Sequence, residues 1–97
     1  MKATINGKRY NSEKCEALAH KTHYSNGNYL GESSLLLASD GTYLIHQESN
    51  GQDCYFRDNL FEAKWENQTA QDFLEGCGLD EDQEKRLVEL GLLKMVD

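Results

Sequence analysis

The sequence predicts an α+β fold: a small antiparallel sheet of three to five strands with one N-terminal helix and two C-terminal acidic helices. Two observations predict it. Residues 34–57 hold three short apolar runs separated by Asp40-Gly41 and Asn50-Gly51, dipeptides that supply the positive φ of tight hairpins. The last third then places two helix-capping patterns, Thr69-Ala-Gln-Asp72 and Asp80-Glu-Asp-Gln83, ahead of apolar residues at helical spacing. Ninety-seven residues suit one domain, spanning 1–97, with a single modest core.

Taken in order, residues 3–5 and 8–10 flank Asn6-Gly7 and read as a strand, a turn and a returning strand. Asn11 and Ser12 are suited to cap a helix running to His20, with Glu13 and Glu16 near its positive end and Cys15, Leu18 and Ala19 as its apolar stripe. Residues 21–32 are polar and glycine-containing and read as a loop. Strands follow at 34–38, 42–48 and 53–58. Two-residue turns would set Ala38 opposite Tyr43, Leu36 opposite Ile45, and Ile45 opposite Phe56, making one apolar face. Leu35, Leu37, Leu44, His46, Glu48, Tyr55 and Arg57 would share the other. Three leucines do not belong on a solvated face, so it either packs a second layer or binds something. A three-residue Ser-Asp-Gly loop would shift this register and swap the faces of one strand.

Phe61, Ala63 and Trp65 alternate in a fourth strand over 60–66. A helix from Thr69 to Cys77 buries Phe73, Leu74 and Cys77 before Gly78 stops it. The last helix, opened at Asp80, turns Leu87, Val88 and Leu90 inward and stops at Gly91. The expected core is Leu36, Tyr43, Ile45, Phe56, Trp65, Phe73, Leu87 and Leu90.

The formal net charge of −7 is unevenly spread: residues 1–61 hold seven acids against six bases, and residues 62–97 hold ten acids against four. A surface with the latter balance repels nucleic-acid phosphates and attracts basic proteins, or serves only to keep a small domain in solution. Lys8-Arg9 and Lys85-Arg86 are the only adjacent basic pairs, too few for a nucleic-acid groove, and the five tyrosines then read as core or interface residues. No apolar run is long enough for a membrane span, and the first ten residues lack the apolar stretch and small-residue cleavage site of a secretory signal, so the expectation is a cytoplasmic protein. Cys15, Cys54 and Cys77 are odd in number and scattered, which suits reduced thiols in a cytoplasm.

Catalytic patterns are missing from the sequence. His20-x-x-His23 with Cys15 nearby has only loose zinc-ligand spacing, and its fourth ligand would have to be His46, Cys54 or Cys77. His46 and Cys54 as a nucleophile pair would point to opposite faces of their strands. No phosphate-binding glycine loop, nucleophile elbow or His-Glu-x-x-His motif occurs. The expectation is a non-enzyme without metal or cofactor.

Three stretches carry a resemblance: Ile5-Asn-Gly-Lys-Arg-Tyr-Asn-Ser-Glu13, Asp40-Gly-Thr-Tyr-Leu-Ile-His46 and Thr69-Ala-Gln-Asp-Phe-Leu-Glu75. Together they resemble a loose family of small acidic bacterial and mobile-element proteins, some of them anti-CRISPR inhibitors. The chain departs from that pattern in having Asn11 and Ser12 where Asp and Thr are usual, Cys15 in place of Ala, and residues 47–51 in place of a glycine-rich turn. The resemblance implies an inhibitor in the host bacterial cell. It would lay Asp80, Glu81, Asp82 and Glu84 on the basic surface where an RNA-guided CRISPR effector complex holds DNA, as a DNA mimic. His46, Tyr55 and Arg57 on the sheet form the second candidate partner-binding set. From a different class, the chain reads as a cytoplasmic adaptor or homodimeric regulator of a mobile element, pairing through Leu35, Leu37 and Leu44, without a nucleic-acid-related target.

Overall fold

The computed structural model describes residues 1–51, 56–64 and 69–97. The fold is mostly β, with 44% strand and 19% helix, and this overturns the expected α+β arrangement with an N-terminal helix. Strands β1 (Lys2–Ile5) and β2 (Lys8–Asn11) form a two-stranded sheet. Strands β3 (Glu16–Ser25), β4 (Asn28–Leu37), β5 (Tyr43–Ser49) and β6 (Asn59–Glu62) form an antiparallel meander in the order β3-β4-β5-β6. Two short helices follow, α1 (Ala70–Leu74) and α2 (Glu81–Glu89).

Where the N-terminal helix was expected, the chain runs as β3. The Asn11 cap is used on a single 3-10 turn, Ser12–Lys14, in which the Glu13 N–H donates to Asn11 Oδ1 at 3.1 Å. The chain then extends, because Asn26 (φ 51°) and Gly27 (φ 79°) form a tight hairpin that folds β3 back along β4. A helix over these residues would leave one whole edge of β4 without main-chain partners. Residues 21–32, read as a loop, are therefore the outer half of this hairpin.

The β4–β5 register also differs from the two-residue reading. Leu35 opposes Ile45, Leu36 opposes Leu44 and Leu37 opposes Tyr43. The Ala38 N–H donates to the Thr42 carbonyl at 2.9 Å, which closes a three-residue Ser39-Asp40-Gly41 loop with Gly41 at φ 90°. One residue of slip regroups the faces. Leu35 and Ile45 join Leu18, Ala19, Ala70, Phe73 and Leu87 in the core beneath the helices. Leu36 and Leu44 join Tyr10, Ala38 and Leu60 in a second core beneath the β1–β2 hairpin. The single expected core is thus two cores, one on each side of the sheet.

Other boundaries move as well. Strand β6 ends at Glu62, α1 ends at Leu74 short of Cys77, and Val88 is 42% exposed where it was expected inward. Trp65, Cys54 and Tyr55, and the expected start of a strand at 53, lie outside the described residues. Leu35 and Leu44 have no exposed surface, so the leucine face proposed for pairing with a second copy is spent within the chain. Among the described residues, no helix is long and apolar enough to cross a membrane.

Gly31 sits inside β4 at φ 146°, and a Cβ there would lie 2.1 Å from the Glu48 carbonyl oxygen and 2.7 Å from the Phe56 ring. Both the dihedral and the close approach demand glycine. Gly31→Ala is expected to lose about 2 kcal/mol or more in chemical denaturation; a variant as stable as the parent would refute this packing. Truncating Leu44 to Ala should cost ~2 to 5 kcal/mol by the same measurement, since the site is sealed between sheet and hairpin. A loss below 1 kcal/mol would mean that the hairpin does not cover this face.

Candidate functional site

Helix α2 presents the acidic residues that the sequence singled out. Its start is a reciprocal capping box: Gln83 N–H donates to Asp80 Oδ1 at 2.8 Å, and Asp80 N–H donates to Gln83 Oε1 at 3.0 Å. Asp80 therefore works within the helix end, while Glu81 and Asp82 are exposed and Glu84 is half-buried. Negative charge in this first turn also complements the helix dipole.

Two anchors aim the helix. Leu87 is completely buried against the sheet, and Arg86 forms a two-pronged pair with Glu16 of β3, Nε to Oε2 at 2.8 Å and Nη2 to Oε1 at 2.9 Å. That pair holds the Glu16 carboxyl below its ordinary range and raises Arg86. Being exposed, it contributes orientation more than stability. With Leu87 inward, residues 81, 84, 85 and 88 fall on the outer face at helical spacing. There Glu81, Glu84, Glu89 and Lys85 surround Val88 and Met95, which are 42% and 55% exposed, in a shallow groove of about 390 Å³. This apolar centre was missed in the sequence, although the spacing of Val88 from Glu81 and Glu84 on a helix already placed it outward.

Of the second set, His46 and Arg57 are described. His46 lies on the hairpin side of β5, its Nδ1 3.5 Å from Glu48 Oε1, near Met1 and Asp58. Arg57 is exposed just before β6, and Tyr55 lies outside the described residues. The imidazoles of the His20-x-x-His23 pattern are on opposite faces of a strand rather than one face of a helix. His23 Nε2 is 2.7 Å from Ser33 Oγ, and its ring packs 4.9 Å from that of Phe56. Burial, with Lys21 adding to it, pushes His23 below its usual range. Among the described residues no group of three or more His, Cys, Asp or Glu could hold a metal ion. The Cys15 and Cys77 thiols donate to the Asn11 and Phe73 carbonyls, and burial raises both, so they are protonated rather than nucleophilic at neutral pH.

Asp40, read only as a turn residue, ties the layers together. Its carboxylate accepts from the Thr42 N–H at 3.0 Å, the Tyr10 hydroxyl at 2.8 Å and Lys8 Nζ at 3.1 Å. These bonds, the Thr42 N–H first, hold it far below the usual carboxylate range. No known family model, curated protein or solved structure matches this chain.

A carboxyl whose pKa is depressed by folding stabilises at pH values above its unfolded value of about 3.9, and that stability disappears as pH falls through and below it. Asp40→Asn should therefore be less stable than the parent at pH 7, and the gap should narrow steadily as pH falls below about 4. Urea denaturation across that range checks this; a gap independent of pH would show that the carboxylate charge is not what joins loop and hairpin.

Proposed function

We propose that this protein is an inhibitory binding domain that lays the outer face of α2 on a basic, nucleic-acid-handling surface of another protein. Following the resemblance noted above, the partner class is a CRISPR effector complex and the setting a bacterial cytoplasm. The observation that carries the reading is the outward display of Glu81, Asp82 and Glu84 on a helix whose opposite side is locked to the sheet by Leu87 and Arg86. Preorganised carboxylates at this spacing meet lysine and arginine side chains without the entropy cost of ordering a loop, and they imitate the charge that such a surface ordinarily holds. On this reading the chain carries out no reaction and works without a cofactor.

The exposed Val88 and Met95 favour a second reading, an adaptor that docks a basic, partly apolar segment of a partner unrelated to nucleic acids. Ionic strength separates the two. Charge-led occupation weakens steeply with salt, whereas docking centred on Val88 and Met95 persists.

Reversing Glu81, Asp82 and Glu84 to Lys, with Asp80 kept so that the cap survives, is expected to leave the fold intact. It should lower partner affinity several-fold to about a hundred-fold, mainly through slower association at low salt. Inhibition assays and binding kinetics against CRISPR effector complexes read the outcome. A folded triple variant that inhibits normally at low salt would refute α2 as the contact surface.

A further inference from the structure

The charge of the β1–β2 side is opposite to that of α2. Residues 1–14 carry four bases against one acid, and residues 15–97 carry six against sixteen. Folding gathers Lys2, Lys8, Arg9 and Lys14 around a single open concavity of about 530 Å³ between β2 and the β4–β5 loop, with Asp40 as its one carboxylate. We propose that this concavity binds a small phosphate-bearing anion with two or more adjacent charges, of the size of a diphosphate or a nucleotide polyphosphate.

Asp40 does not oppose such a ligand as a bare charge would. Its carboxylate pairs with Lys8 and accepts from Thr42 and Tyr10, so the Lys8–Asp40 pair is neutral and the net positive charge of the concavity is that of Lys2, Arg9 and Lys14. Arg9 commits one N–H to Thr4 Oγ1 at 3.0 Å and keeps the remainder of its guanidinium fork for a phosphate. Lys2 and Lys14 have no acidic partner among the described residues. Among the described residues strand β2 pairs only with β1, so its other edge also offers main-chain N–H groups to this wall. The Cys15 thiol at the margin is neutral, held up chiefly by burial and also by Asp40, and adds no competing charge.

The volume lies within the range of small-ligand sites, roughly 300–1,000 Å³. Screening over about 8 Å at physiological ionic strength weakens repulsion between a ligand seated here and the carboxylates of α2. A long polyanion gains no such shelter, because it would run on to Glu13 and Glu62 beside the hairpin. The chemistry therefore favours a compact phosphate ligand over a strand.

Titration of the full chain with pyrophosphate, followed by amide NMR shifts, tests the site independently of any role of α2. Saturable shifts are expected at Lys2, Arg9, Lys14 and the 39–42 loop, with at least a ten-fold loss of affinity in the Arg9→Ala, Lys14→Ala double variant. Lys85→Ala on α2 should bind as the parent does, and unchanged melting of all variants confirms their folding. Shifts that never saturate, that spread equally to Lys85 and Lys94, or that survive the double variant would overturn the site. A short single-stranded oligonucleotide forms the second arm: weaker binding than pyrophosphate supports the compact ligand, and tighter binding at the same residues overturns it in favour of a nucleic-acid backbone.

Discussion

Strands β4 and β5 are apolar on both faces at the same place. Leu35, Leu36 and Leu37 run consecutively along one, with Leu44 and Ile45 opposite them on the other. Alternation sends successive side chains to opposite sides, so a continuous run of leucines leaves two apolar surfaces that a single covering layer cannot bury. Everything else in the fold answers that constraint. Helices α1 and α2 cover the side of Leu35 and Ile45, and the β1–β2 hairpin covers the side of Leu36 and Leu44. The three layers are held in register by few polar ties: Asp40 to Tyr10 and Lys8 on one side of the sheet, Glu16 to Arg86 on the other.

Covering both faces has an electrostatic consequence. The hairpin is the basic part of the chain and the C-terminal segment the acidic part, and the sheet keeps them on opposite sides. A modest net charge thus conceals two surfaces of opposite sign. Each can meet its own class of partner. The carboxylates of α2 suit a basic protein surface, and the lysines and arginine at β2 suit a compact anion. The outer half of the β3–β4 hairpin is different again: its side chains are mostly exposed and polar, and Gly31 lets β4 pass closely beneath Phe56 where that half begins.

Much of the candidate site was legible in the sequence because it rests on local chemistry. The Asp80 to Gln83 capping box needs only four consecutive residues, and it forms as the spacing indicates. Exposure of Glu81 and Asp82 follows from the burial of Leu87 on the far side of the same helix. His46 was grouped with Leu35 and Leu37 on a register that the structure does not adopt, and it faces the hairpin instead, while Tyr55 lies outside the described residues. The basic concavity was hidden for a related reason: Lys14 and Asp40 meet Lys2, Lys8 and Arg9 only after the hairpin docks on the sheet.

By itself the sequence determined the tight turn at Asn6-Gly7, the helix starts at Thr69 and Asp80, and the separation of charge along the chain, all of which depend on neighbouring residues. Tertiary structure alone decided between helix and strand for residues 16–25. Asn11 is as good a cap for one 3-10 turn as for a longer helix, and Asn26-Gly27 is as good a hairpin as Asn6-Gly7 once a partner strand is available. That partner is β4, whose edge must find hydrogen bonds and whose leucines must be buried on both faces. The same long-range demand selected the three-residue loop at Asp40. A slip of one residue moves every side chain of a strand across the sheet, and only packing against layers distant in sequence distinguishes the two registers.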